Sequence, residues 1–224
     1  MLSPRSTLDR EFSAIRDNIL RMGSLVDTAI DRSIRALRTQ DAALSRQIIA
    51  DDQGINDLRF TIEEECLALI ATQQPVASDL RAVIAAMNIV NDMERMGDHA
   101  TGIAKTVIRM DGEPLLKPLL KPLVDIPRMA DLAREMLKKS LDALLARDAE
   151  AARRVAQQDD EIDRLYNQIF RELLSFMIED PATTTRGTYL LWAAHNLERI
   201  GDRATNIAER VIFMTTGTMK ELNL

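Results

Sequence analysis

A single cysteine, Cys66, in 224 residues rules out an internal disulfide. Its place in an apolar helical stretch reads as a small core residue of a protein kept in a reducing compartment. No run of 18 apolar residues occurs anywhere, and the amino-terminal stretch lacks the apolar segment of a signal peptide. The expectation is a cytoplasmic chain that meets a membrane only through partners. Aromatic residues make up 4%, with 8 Gly and 7 Pro. Together with 29% charged residues, that balance excludes a fibrous or disordered chain. Runs of Lys or Arg are also missing, and the formal charge is −6. A chain without a basic face cannot displace counterions from a phosphate backbone, so no nucleic-acid partner is expected.

What is present is aliphatic. Residues AVILMFWYC total 46%, rich in Leu, Ile and Ala, with 11 Met as flexible gap-fillers suited to helix packing. Leu8, Phe12, Ile15, Ile19, Met22, Val26 and Ile30 recur in steps of three and four, then Ile34 or Leu37, marking one stripe of a helix. Asp41 can cap a second helix carrying Leu44, Ile48, Ile55, Leu58, Ile62 and Leu69, which ends at Gln73-Gln74-Pro75. A third runs from about Val76 to Met110. Helices of roughly 30 residues are about 45 Å long, and the short loops between them require antiparallel neighbours.

After Asp111-Gly112-Glu113-Pro114 and prolines 118, 122 and 127, the pattern restarts. Leu137, Leu141, Leu144 and Leu145 predict a fourth helix, and Val155, Ile162, Leu165, Ile169 and Leu173 a fifth. Leu190, Ala194, Leu197, Ala204, Ile207 and Val211 predict the sixth. Residues 94–108, ERMGDHATGIAKTVI, align without a gap to residues 198–212, ERIGDRATNIAERVI, with 10 identities in 15 positions. The chain is therefore an internal repeat. The predicted fold is all-α: two tandem antiparallel three-helix bundles, residues 1–112 and 113–224, six long helices in all.

The best-matched part of the repeat is acidic. Glu94 and Asp98, mirrored by Glu198 and Asp202, are four residues apart and about 40° apart on one helix face, where like charges repel by a few tenths of a kcal/mol. Arg95 and Arg199 lie about 100° away, poorly placed to neutralise both acids. Asp52 and Asn56 in the second helix, and Asp159 and Asp163 in the fifth, flank apolar stripes in the same way. Carboxylates converging from two helices form a donor set for hard or borderline cations, whereas single acids on helix surfaces are ordinarily solvated. His195 precedes Glu198 by one turn and adds a candidate imidazole ligand at the position of Asn91 in the first copy. His99 falls on the outer arc and reads as solvated. Tyr189 and Trp192 read as core or inter-helix residues. Gly97 and Gly201 read as points of close helix contact.

The twice-repeated Glu-Arg-(Met/Ile)-Gly-Asp run at 94–98 and 198–202, Gln74-Pro75-Val76-Ala77-Ser78-Asp79-Leu80-Arg81, and Asp180-Pro181 resemble the PhoU family along essentially the whole chain. The resemblance implies two side-by-side three-helix bundles and multinuclear clusters of iron, zinc or other divalent cations. Carried over by position, the ligands are Asp52, Glu94 and Asp98 in the first bundle and Asp159, Asp163, Glu198 and Asp202 in the second. Asn56 replaces an acid, which implies a weaker or smaller first cluster. The implied role is negative regulation of the phosphate-starvation response by a non-enzymatic adaptor. Such an adaptor links the ATPase subunit of a phosphate-specific ABC transporter to a sensor histidine kinase, and the family implies a homodimer.

Three rivals belong to other classes. A carboxylate-bridged di-iron oxidase needs Glu-x-x-His, and Gly97 and Gly201 occupy the required positions. A histidine phosphotransfer module would use His99 or His195. A metal-free structural adaptor needs none of the acids.

Overall fold

Asp41 and Asp148 stop the chain at the same point in each half. Asp41 accepts a hydrogen bond from the Leu44 backbone N–H at 2.8 Å, and Asp148 accepts from Glu150 and Ala151, both at 2.9 Å. These contacts satisfy amides that a new helix leaves unpaired. The residue before each cap, Gln40 and Arg147, has positive φ (54° and 50°), so the chain reverses within two residues. In the computed structural model, which describes residues 4–111 and 122–218, the helices are α1 (Pro4–Thr39), α2 (Ala42–Gln73), α3 (Ser78–Arg109), α4 (Pro122–Ala146), α5 (Ala149–Ala156), α6 (Asp159–Glu179) and α7 (Thr184–Thr216). No strand occurs among the described residues. The expected boundary between repeats at 112/113 lies outside them.

The predicted fifth helix is interrupted. Gln158 N–H bonds to Val155 O at 2.9 Å and Glu161 N–H to Gln158 O at 3.0 Å, a tighter i→i−3 pattern that separates α5 from α6. Gln157 and Gln158 keep right-handed helical dihedrals, so α5 and α6 continue one another and the architecture remains six-helical. Three successive acids, Asp159, Asp160 and Glu161, explain the restart, because a helix amino terminus favours negative charge. The corresponding stretch of α2, Asp52-Gln53-Gly54, lacks that run, and α2 is continuous.

One buried cluster runs through both halves, from Ile15, Met22 and Ile62 through Met93 and Met96 to Ile126, Leu173 and Ile207. Each such fully buried side chain contributes about 1.5–3 kcal/mol relative to exposure. Leu145, counted in the fourth helix's stripe, is 41% exposed: it lies off the line set by Leu137, Leu141 and Leu144. The inward face of α4 is instead extended by Ile126, Met129, Ala130, Ala133 and Met136. Cys66 is fully buried, and burial pushes its thiol up to about 12, so it is an inert core residue as expected.

Helices α3 and α7 pack on one another and each carries the rest of its own half, while α1 touches α4. Across the latter contact Arg134 forks onto Asp27 at 2.7 Å and Asp31 at 2.8 Å. The two repeats therefore share a core. Replacing Asp41 with Ala removes the α2 cap and is expected to cost about 1 kcal/mol, read as a lower urea midpoint with unchanged slope.

Candidate functional site

Gly97 on α3 and Gly201 on α7 are notches that admit the neighbouring helix. A Cβ built at Gly97 would lie 3.0 Å from Ile55 Cδ1 and 3.2 Å from Asp52 Oδ1. One at Gly201 would lie 2.9 Å from both Ile162 Cδ1 and Asp159 Oδ1. The same acid sits over the same glycine in both copies. That close approach brings Asp52 beside the Glu94–Asp98 edge, and Asp159 with Asp163 beside Glu198–Asp202.

This proximity has an electrostatic consequence for Asp52, Glu94, Asp163 and Glu198. Burial, then the charge of Asp98, raises Asp52 and Glu94 above the usual carboxylate range. In the second copy burial and Asp202 raise Glu198 and Asp163, with Asp163 adding to Glu198 and Asp160 adding to Asp163. Carboxylates held near one another in a partly desolvated place favour sharing a proton or acquiring a cation. One oxygen in each copy, Glu94 Oε2 and Glu198 Oε2, is buried without a hydrogen bond. Near them stand the Arg95 guanidinium, with Nε 3.5 Å from Glu94, and the His195 ring, with Nδ1 3.4 Å from Glu198.

The arginines behave differently from the wheel-based expectation. Arg95 Nη1 reaches Asp98 Oδ2 at 2.9 Å and Arg199 Nη1 reaches Asp202 Oδ2 at 2.7 Å. The wheel gives Cα directions, and a long guanidinium stem folds along the helix to the i+3 position. With the acids so paired, no three His, Cys, Asp or Glu side chains among the described residues converge closely enough to hold a metal ion. The donor chemistry suits a hard or borderline cation, and the orphaned Glu oxygens suit one too. Closing such a site requires Arg95 and Arg199 to swing away from Asp98 and Asp202.

The copies are not electrostatically equal. Asn56 donates from Nδ2 to Asp52 Oδ2 at 3.2 Å, where the second copy has Asp163, which as an ionised carboxylate has no proton to give. Arg59 stands near enough to Glu94 to favour its ionised form. Its counterpart, Tyr166, is instead pushed up by burial and Glu198, with its ring 6.0 Å from His195. The first cluster sets Asp52, Glu94 and Asp98 against Arg59 and Arg95. The second sets Glu198 and Asp202, with Asp163 beside them, against Arg199. Asn91, the position matching His195, is exposed.

The sequence reading missed a second set of polar residues, between the bundles. His99 is half-buried rather than solvated, its Nδ1 3.0 Å from Asn196 Oδ1. Asp92, 6% exposed, accepts from Arg203 at 3.3 Å and Asn206 at 3.2 Å. A shift of 104 residues, the offset of Glu94 to Glu198, turns Asp92 into Asn196 and His99 into Arg203. The two contacts are thus one contact written twice, across a local two-fold between antiparallel α3 and α7. Burial raises Asp92 despite Asn206 and Arg203, and burial lowers His99, with Arg203 and Arg199 adding to that. A Cβ at Gly102 would lie 2.7 Å from Asn196 Oδ1, so this glycine makes room for the amide. The repeat offset was the signal that could have found the set. Trp192 is partly exposed, under the Arg109 guanidinium at 5.6 Å and edge-on to Tyr189.

Gly54 on α2 has open space around its Cβ position, so Gly54→Ala is expected to stabilise by up to about 1 kcal/mol through helix propensity. Gly201→Ala forfeits that gain by crowding Asp159 and Ile162 and should be less stable than Gly54→Ala by roughly 1–3 kcal/mol in denaturant titrations. Glu94 and Glu198 have folded-state pKa values above the ordinary 4.5, so their contribution to stability is greatest below 4.5 and is lost as pH rises through the raised values. The double variant Glu94→Gln, Glu198→Gln should therefore melt above the metal-free parent at pH 7. That gap should close as pH falls towards 4.5.

Comparison with known proteins follows the same outline. The family model described as the PhoU domain matches residues 19–107 and again 126–211. The chain is 40% identical over 216 residues, 96% of its length and 90% of the relative's, to the phosphate-specific transport system accessory protein PhoU homolog of Rhizobium meliloti (strain 1021). It is 39% identical over 220 residues to the homolog of Clostridium acetobutylicum, covering 98% of this chain and 99% of that one. The crystal structure of PhoU from Pseudomonas aeruginosa superposes with a TM-score of 0.86 at 37% identity, over 94% of this chain and 99% of that one. That of the phosphate transport system regulatory protein PhoU from Streptococcus pneumoniae gives 0.87 at 32%, over 95% and 99%. Two copies of one helical unit, each with the same acid seated over the same glycine, and near-full-length similarity to these proteins lead to one assignment: the chain belongs to the PhoU family of phosphate-transport accessory regulators, which are not enzymes.

Proposed function

We propose that this protein is a negative regulator of the phosphate-starvation response and of phosphate uptake, acting as a cytoplasmic adaptor. It would link the ATPase subunit of a phosphate-specific ABC transporter to a sensor histidine kinase and reach the membrane only through them. The observation that carries this reading is similarity over both repeats, almost end to end, to proteins named as accessory to phosphate-specific transport. The architecture suits the role. Two bundles locked through a shared core form a stiff body, and a chain of net charge −6 is complementary to basic partner surfaces. No helix of the described residues is long and apolar enough to cross a membrane. Residues 1–112 and 113–224 act in this reading as two equivalent units, and the working form is a homodimer.

The acid clusters are proposed as sites for a multinuclear cluster of iron, zinc or another divalent cation. Glu198, Asp202, Asp159 and Asp163, with His195 as an additional donor, would hold it in the second bundle. Glu94, Asp98 and Asp52, with Asn56 or Asn91, would hold it more weakly in the first, where Arg59 already supplies positive charge. A bound cation would offset the repulsion among these carboxylates and tie α2 to α3 and α6 to α7. A metal-free adaptor is the second reading, and the direct Arg95–Asp98 and Arg199–Asp202 pairs favour it.

Capture from cells with the tagged full chain tests the adaptor role. The transporter ATPase subunit and the sensor kinase should co-purify, in amounts that differ between ample and limiting phosphate, and deletion should leave phosphate uptake unrestrained. Recovery of neither protein, with uptake unchanged by deletion, would end the proposal. Elemental analysis separates the two readings of the clusters. Glu198→Ala with Asp202→Ala should remove more iron or zinc than Glu94→Ala with Asp98→Ala, and metal at background in the parent selects the metal-free adaptor.

A further inference from the structure

The two ends of the wall between the bundles are not alike. Under the 104-residue offset that turns α3 into α7, Ala82 and Ala86 become Arg186 and Leu190. Under the 107-residue offset between the capping residues Asp41 and Asp148, Gln40 becomes Arg147. At one end Arg186 is 3% exposed and Leu190 is fully buried. There the Gln40 side-chain oxygen accepts from both terminal nitrogens of the Arg186 guanidinium. The chain plugs this end with its own side chains. At the other end two alanines stand where those long side chains would be, and a cavity of about 310 Å³ lies between α1, α3, α4 and α7. Phe12, Ile15, Leu144 and Met214 line it together with the alanines, and Arg16 and Arg147 supply cations.

We propose that this cavity binds a small carboxylate on an apolar stem, of the class of medium-chain fatty acids, with its head at Arg147 and Arg16. The plugged end shows the form of the occupant. Arg186 is an aliphatic stem with a charged planar head, and Gln40 meets that head with an acceptor. At the open end a guanidinium takes the acceptor's place, so the group that completes the arrangement carries the opposite sign. A carboxylate is planar and accepts two parallel hydrogen bonds from a guanidinium. Among the described residues no ion pair joins Arg16 or Arg147 to an acid, and Arg16 donates to Ser13 Oγ at 3.1 Å. Asp9 and Asp79 also line the cavity. Asp9 has a contact of its own, and Asp79 lies in the first turn of α3, where a helix amino terminus favours its charge. A cationic or neutral amphiphile would fill the apolar part and leave Arg147 without a partner. The volume is at the small end of ligand pockets, about 300–1,000 Å³, which favours a short stem over a full lipid tail.

Calorimetric titration of the full chain with octanoate tests this. The parent should bind a single equivalent per chain, while octan-1-ol and octylammonium, which share the stem, should bind at least about 10-fold more weakly. Arg147 is exposed, and Gln40 holds the same positive φ at the matching position, so Arg147→Gln should keep the parent's melting profile. That variant should weaken octanoate at least about 10-fold. Ala82→Arg combined with Arg147→Gln writes the plugged end into the open one. It should melt no lower than the parent and lose octanoate binding altogether. A parent that does not bind octanoate, or an Arg147→Gln chain that binds it undiminished, would overturn the assignment. So would octan-1-ol binding as tightly as octanoate, because the head would then find no counter-charge.

Discussion

The antiparallel contact between α3 and α7 carries the architecture. Each of these helices packs on the other helices of its own half and on its counterpart in the other half, so both bundles are organised from a common wall. Gly102 on α3 lets the backbones come close, since a Cβ there would lie 2.7 Å from Asn196 Oδ1 of α7. Polar pairs then set the register: Asp92 with Arg203 and Asn206, and His99 with Asn196. An apolar wall alone would tolerate sliding by a turn. A buried carboxylate left without its partners would not, because the desolvation of its charge would go uncompensated.

The acid clusters follow from the same wall. Gly97 and Gly201 lie on α3 and α7, and because they lack side chains α2 and α6 seat an aspartate directly over them. Once seated, the carboxylates repel, and each cluster answers that repulsion differently. The first has drawn in Asn56 and Arg59. The second has replaced both, with Asp163 and Tyr166, and so depends more on an outside cation. Duplication thus preserved the frame of the site while its charge diverged.

The repeat, the helices and the facing acids were legible in a linear reading because each is a matter of period. Steps of three and four residues mark a buried stripe whatever it packs on, and an ungapped match between 94–108 and 198–212 marks a copied unit. The pairing of Arg95 with Asp98 was not legible, since a wheel records where a side chain leaves the helix and not where a long one ends. The break before Asp159 had a local cause in three consecutive acids, but helix propensity across Val155 to Leu173 gave no reason to expect it. Leu145 counted as core because leucine usually is, and it lies off the stripe.

Order along the chain determined the class, the duplication and the acidic edges, because these depend on residues within a few turns of one another. Only tertiary structure decided that His99 faces Asn196 and that Asp92 is buried. Those outcomes depend on which surfaces of the two copies meet, and residues about a hundred positions apart carry no local sign of their meeting.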